Sequence, residues 1–104
     1  MSEQVFRSAR IVTPDAVVEG RLAVRDGRIV GIDSGPSAHG LDLDGDLLIP
    51  GLIELHTDNL EKHFAPRIGV EWDSVAAAVS HDVQIAGSGI TTVYDSLVLG
   101  AAPG

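Results

Sequence analysis

An imidazole and a carboxylate two residues apart, His56 and Asp58, close the apolar run Leu47-Leu48-Ile49-Pro50-Gly51-Leu52-Ile53-Glu54-Leu55. Side chains alternate along a strand with a period of two, so Glu54, His56 and Asp58 share one side while Ile53 and Leu55 share the other. An imidazole nitrogen and a carboxylate oxygen at a strand's carboxyl end could grip one divalent cation together. A bound ion of this kind lowers the pKa of water from about 15.7 to about 7 and supplies hydroxide at neutral pH. With a carboxylate as the second donor the pair is oxygen-rich and anionic, which favours Mn²⁺ or Mg²⁺ relative to Zn²⁺ and leaves all three as candidates. The competing arrangement is a plain strand end, with a hydrogen-bonded His and an Asx turn at Asp58. Downstream, Lys62, His63 and Arg67 bring three potential cations that suit a polyphosphate, the guanidinium through bidentate contacts. They also fit an ordinary polar loop. No residue is identified as the catalytic acid or base.

The elements that must position these groups follow from local patterning. A short Leu- and Ile-rich run opened by Pro50-Gly51 suits a strand covered on both faces, as in a parallel sheet. After it, Asn59 to Trp72 forms a long polar connection that Pro66 and Gly69 keep from being helical throughout. Asp73 caps a helix predicted from Ser74 to about Ala86, with Val75, Val79, Val83 and Ala86 as its apolar stripe and Gly87 or Gly89 as its stop. His81 and Asp82 lie off that stripe and read as a solvated face. The β-branched run Ile90-Thr91-Thr92-Val93-Tyr94 is the next parallel strand, so Leu52 to Tyr94 forms one β-α-β unit.

The first half reads as strands. Gln4 to Thr13 is one, with the tips of Arg7 and Arg10 in solvent, and Thr13-Pro14-Asp15-Ala16 turns the chain. Asp26-Gly27 between Arg21–Arg25 and Arg28–Ile32 predicts a type I′ hairpin that pairs Val24 with Ile29. Arg25 and Arg28 then face each other at a cost of a few tenths of a kcal/mol, which Asp26 partly relieves. Ser34 to Gly40 is a loop in which His39 is solvated. Leu41 to Asp46 alternates as a strand and breaks at Gly45. Its three aspartates do not match a calcium loop, which needs Gly at position six and Glu at twelve.

The segment Leu48-Ile49-Pro50-Gly51-Leu52-Ile53-Glu54-Leu55-His56 resembles the first barrel strand of the amidohydrolase superfamily, whose signature is Pro-Gly, a few apolar residues and His-x-His. Asp58 stands here in place of the second His. The continuation from Asn59 to Trp72 resembles one branch, the diphosphatases of bacterial phosphonate metabolism (the carbon-phosphorus lyase pathway); the likeness runs from about Val5 to Gly100 and is most specific from His56 to Trp72. The resemblance implies a mixed β and α/β fold. Residues 1–50 would be part of an amino-terminal β-sandwich domain, and residues 51–104 the first β-α-β unit of an incomplete, metal-dependent (β/α)8 barrel. It implies hydrolysis of α-D-ribose 1-methylphosphonate 5-triphosphate to the 5-phosphate and diphosphate, with His56 and Asp58 on the metal and Lys62, His63 and Arg67 on the substrate. General amidohydrolase chemistry on a cyclic amide or a base, and a non-catalytic amino-terminal module, are the alternatives.

Size and charge bound these readings. A barrel of this type takes about 250 residues, whereas the chain has 104 and only half of it follows Pro50. The closing Ala101-Ala102-Pro103-Gly104 completes no element, so a piece of a larger enzyme is expected. A net charge of −8 opposes nonspecific binding to nucleic acid or anionic lipid. The absence of cysteine, of a signal-type apolar core and of any run of about 20 apolar residues points to the cytoplasm and away from the membrane. The expected partners are a small phosphorylated sugar phosphonate and, as a homo-oligomer, further copies of the chain.

Overall fold

In the computed structural model, which describes residues 2–97, Asp26 and Gly27 take φ values of 50° and 73°. Positive φ at both central residues is what a type I′ turn requires. The turn joins β2 (Val17–Arg25) to β3 (Arg28–Ser34), with Val24 opposite Ile29 and Arg25 opposite Arg28, the register expected from sequence. Relief for Arg25 comes from a different residue than expected. Its guanidinium takes Glu3 of β1 (Glu3–Val12), with Nη2 2.5 Å from Oε2, so the neighbouring strand and not the turn aspartate supplies the counter-charge. The pair is half exposed and contributes about 0.2–1 kcal/mol.

β1 lies antiparallel to β2 and parallel to two short strands, β4 (Leu41–Asp42) and β5 (Leu47–Leu48), in a five-stranded sheet. Ala9, Ile11 and Leu22 are its buried residues, with Phe6, Val18, Val24, Leu43 and Leu48 packed against them. Of the segment from Leu41 to Asp46 only Leu41–Asp42 is strand; the chain then turns, with Asp44 and Gly45 both at positive φ (50° and 82°), at the break expected at Gly45. Gly20 sits where β2 passes close to β3: a Cβ there would run into the Asp33 carbonyl oxygen.

A bulge in β1 anchors that turn. Phe6 pairs with Leu22 and Ala9 with Gly20, so Arg7 and Ser8 oppose the single residue Arg21, and Ser8 takes φ 53°. The Arg7 and Ser8 carbonyls thereby accept the N–H groups of Leu43 (2.9 Å) and Gly45 (2.7 Å). Arg7 and Arg10 do not simply point their tips into solvent. Arg7 pairs with Asp42 at 2.9 Å and donates to the Gly40 carbonyl at 3.2 Å, while Arg10 donates to the Gly45 carbonyl at 2.8 Å. The Asp44 N–H and then the Ser8 side chain hold the Asp42 carboxyl below its ordinary value, with a lesser contribution from Arg7 and against an opposing effect of burial.

The chain divides into two compact units between Pro50 and Gly51. In the second, β6 (Leu52–Thr57) leads through α1 (Asn59–Phe64) and α2 (Ser74–Gly87) to β7 (Ile90–Asp95), which lies parallel to β6. The β-α-β unit expected from sequence is present. Gly51 is required at its entry, since a Cβ would collide with the Thr91 side chain. Asp73 caps α2 by accepting the Ala76 N–H at 3.0 Å, and Gly89 (φ 78°) follows its end.

Within this chain β7 is the one strand neighbour of β6 among the described residues, and Leu55 is 76% exposed. One expectation for this unit fails. On α2, the stripe Val75, Val79, Val83 faces out, and the buried line is Ala77 and His81, continued by half-buried Ile85. Alanine at 77 lets the helix approach closely, and the i, i+4, i+8 spacing keeps all three on one side. The closing Ala101-Ala102-Pro103-Gly104 lies outside the described residues.

Candidate metal centre

His56 and Asp58 leave β6 at its carboxyl end, where the strand departs from regular pairing. Glu54 pairs with Val93 and Thr57 with Asp95, so Leu55 and His56 face the single residue Tyr94. Such a bulge re-aims the side chain it carries. The His56 N–H turns to the Glu54 carboxylate (Oε1, 3.1 Å), and the imidazole Nδ1 meets Ser96 Oγ at 3.0 Å. Nε2 has no hydrogen-bond partner among the described residues.

Asp58 occupies the N-cap position of α1, yet its side chain makes no cap hydrogen bond. The turn duty falls to Thr57, whose hydroxyl accepts the Asn59 N–H at 3.1 Å. The plain strand end weighed above needs an Asx turn at Asp58, and the structure builds an ST turn at Thr57 in its place. The Asp58 carboxylate is thus left for another partner, and the cation beside it is Lys62, whose Nζ is 3.7 Å from Oδ1 and 2.9 Å from Asn59 Oδ1. Both Lys62 and Asp58 are well exposed, so this ion pair adds little stability.

Of the three candidate substrate residues, Lys62 and His63 line one cavity together with Pro66 and Trp72, and Arg67 is not part of its lining. Lys62 turns back toward Asp58. His63 turns to α2, with Nε2 2.8 Å from Gln84 Oε1. Arg67 lies in the turn after α1, where its carbonyl accepts the Val70 N–H at 3.1 Å. Among the described residues no three His, Cys, Asp or Glu side chains gather into a metal cluster. The donor chemistry of His56 and Asp58 nonetheless fits a divalent ion: an imidazole held through Nδ1, its Nε2 without a hydrogen-bond partner among the described residues, and a carboxylate that makes no cap hydrogen bond.

Sequence reasoning missed the groups behind this pair. His81, read as solvated, is 5% exposed; its Nε2 lies 3.0 Å from Asp95 Oδ1, and its Nδ1 is buried without a hydrogen-bond partner among the described residues. Its ring centroid is 5.5 Å from that of His63. The signal was Ala77, whose small side chain is buried one turn before His81 on the same side of α2.

No family model matches the chain. It is 42% identical over 98 residues to the alpha-D-ribose 1-methylphosphonate 5-triphosphate diphosphatase of Escherichia coli, a match covering 92% of this chain and 26% of that protein. It is 34% identical over 100 residues to the imidazolonepropionase of Klebsiella pneumoniae, covering 85% of this chain and 24% of that one. To the L-hydantoinase of Paenarthrobacter aurescens it is 27% identical over 100 residues, covering 91% and 20%. The chain therefore spans a fifth to about a quarter of the length of these curated relatives. Among solved structures, a crystal structure of an amidohydrolase superposes with a TM-score of 0.60 at 26% identity, covering 90% of this chain and 25% of that one. A prolidase superposes at 0.62 with 19% identity over 90% of this chain and 26% of that one, a likeness of fold alone. Over nine-tenths of its length the chain resembles the amino-terminal part of the amidohydrolase superfamily, a superfamily of hydrolases.

Proposed function

We propose that the protein carrying this chain hydrolyses α-D-ribose 1-methylphosphonate 5-triphosphate to the 5-phosphate, releasing diphosphate. The observation that carries this reading is the 42% identity to the E. coli diphosphatase across 92% of the chain. In this reading His56, through Nε2, and Asp58 hold a divalent ion at the end of β6. When bound there, the ion supplies a nucleophilic hydroxide near neutral pH and offsets charge on the phosphates. In the same reading Lys62, whose Nζ lies 3.7 Å from Asp58 Oδ1, contacts the anionic substrate, and His63 and Arg67 supply further donors from the same connection. A water oxygen forms the new bond to phosphorus, and a phosphoanhydride bond breaks as diphosphate departs.

The substrate is a small soluble anion, and the protein is proposed to work on it in the cytoplasm as a homo-oligomer. Among the described residues no helix is long and apolar enough to cross a membrane. Amide hydrolysis at the same ligand pair is the second reading, favoured by the likeness to L-hydantoinase and imidazolonepropionase. Phosphorus NMR of full-length protein incubated with the ribosyl triphosphate, beside an assay for opening of dihydroorotate, separates the two. Diphosphate release far faster than ring opening is the expected result; ring opening without diphosphate would overturn the proposal.

A further inference from the structure

Three independent contacts meet at the last described turn of the β-α-β unit, and together they address one atom, His56 Nδ1. The first is the contact of Ser96 Oγ with that nitrogen at 3.0 Å. The second holds Ser96 in place, since its N–H donates to the Thr57 carbonyl at 2.8 Å, tying it to the residue next to His56. The third holds the residue before it: Asp95 is gripped by His81 of α2, which reaches both carboxylate oxygens at 3.0 and 3.2 Å from a position 5% exposed.

We infer that Ser96 is the positioning residue for His56, and that His81, by latching Asp95, holds Ser96 in register. This rests on the reading of His56 as a metal ligand. An imidazole can offer Nε2 to a metal only as the tautomer that carries its proton on Nδ1. That proton needs an acceptor, and Ser96 Oγ is the one the geometry provides. A neutral hydroxyl can accept that proton without adding charge beside the centre, which already carries the Asp58 carboxylate. The bulge explains why the serine is needed: His56 lies outside the regular ladder, so pairing alone does not set its ring. The buried His81 latch explains how a residue beyond the end of β7 is held still. Groups that orient a ligating imidazole typically change metal affinity by about 10–100-fold when removed.

The test uses the purified chain, its imidazole nitrogens followed by NMR at fixed pH during titration with Zn²⁺ alone, a readout that reaches weak binding. Ser96 is exposed, so Ser96→Ala removes little packing. The expected result is at least a tenfold loss of apparent Zn²⁺ affinity, together with a shift of the His56 resonances in the metal-free protein from one tautomer toward a mixture. Ser96→Thr, which keeps the hydroxyl, restores both, and thermal unfolding followed by Trp72 stays unchanged in both variants. His81→Gln, which loosens the latch but leaves the hydroxyl, gives a smaller loss of the same kind. His56→Ala separates the two levels of the argument. If it abolishes Zn²⁺ binding while Ser96→Ala leaves affinity and tautomer untouched, the role of Ser96 is overturned and the metal reading survives. If His56→Ala binds Zn²⁺ like the unmodified chain, the metal reading beneath it is overturned, and the metal-free tautomer still decides whether Ser96 positions the ring.

Discussion

His81 Nε2 lies 3.0 Å from Asp95 Oδ1 across the gap between α2 and β7, while its Nδ1 is buried with no hydrogen-bond partner among the described residues. One ring thus contributes one satisfied and one unsatisfied buried nitrogen, and such asymmetry sets what a substitution does. Removing one partner strands the other's desolvated polar atoms, a cost of about 1–3 kcal/mol. His81→Phe is therefore expected to destabilise the second unit by that amount, measured by urea unfolding followed through Trp72. Adding Asp95→Leu to His81→Phe should regain part of the loss, because replacing both partners by apolar groups leaves nothing unpaired. A double variant no more stable than the single would show that the pair does not act as a unit.

The candidate ligands give a second expectation. In the complete protein, His56→Ala and Asp58→Ala should each lower bound metal and hydrolysis together, by at least the 10–100-fold that loss of an orienting group costs. His39→Ala should leave both unchanged, since the His39 backbone, through its N–H and carbonyl, meets the Ser37 hydroxyl inside an exposed loop. Metal analysis after dialysis, paired with rate measurements, reads both quantities. Unchanged stoichiometry in the two ligand variants would place the metal elsewhere.

Much of the fold was legible because its signals are local. Asp26-Gly27 specifies its turn, Asp73 its helix start, and Ile90 to Tyr94 its strand, each through backbone preferences that act within a few residues. The candidate ligands were legible for the same reason, as a donor pair at the end of an apolar run. What was not legible depends on contacts between segments distant in sequence. Valines at 75, 79 and 83 look like a packing stripe, but alanine at 77 is smaller and lets α2 come closer, so His81 goes inside. The bulge at Leu55 and His56 is set by pairing with β7, and no residue type within β6 announces it. Ser96, forty residues from His56, could be joined to it only in three dimensions.

Gly51 tests how tightly β6 enters its pairing. A Cβ at this position would overlap the Thr91 side chain, a stiff β-branched group with little room to turn. Gly51→Ala is expected to cost about 1–3 kcal/mol, the usual penalty of overpacking. Thr91→Ala in the same chain should recover part of it by removing the atoms met. An unchanged melting temperature in Gly51→Ala alone would mean that the strand entry shifts freely.

Asp42 carries a pH dependence in the first unit. The Asp44 N–H, then the Ser8 side chain and Arg7, hold its carboxyl below the ordinary value. A carboxyl depressed in the folded state contributes stability that is present above its unfolded value of about 3.9 and is lost as pH falls through the folded value. The contribution should therefore be constant from neutral pH down to about 5 and fade below about 4. Asp42→Asn should flatten that acid limb of the unfolding curve and leave the neutral region nearly parallel. An acid limb identical in both proteins would show that the contacts of the Asp42 carboxyl do not couple to folding.

The outward stripe of α2 and the open sheet of the second unit lead to the last expectation. Val75, Val79 and Val83 are each more than half exposed, as are Ile53 and Leu55 of β6. β6 and β7 have only each other as strand partners among the described residues, so their outer edges offer unpaired N–H and C=O groups. Surfaces of this kind are seldom left in water, because apolar area is worth about 25 cal/mol per Å² when covered and open edges pair readily. The purified chain is expected to associate as its concentration rises through the micromolar range, detected by light scattering. Leu55→Lys, which places a charge on the most exposed of the Leu and Ile positions of β6, should shift that association to higher concentration, and Val79→Lys should do the same from the helix side. A chain that scatters as a monomer throughout, and does so equally in both variants, would show that these faces remain solvated.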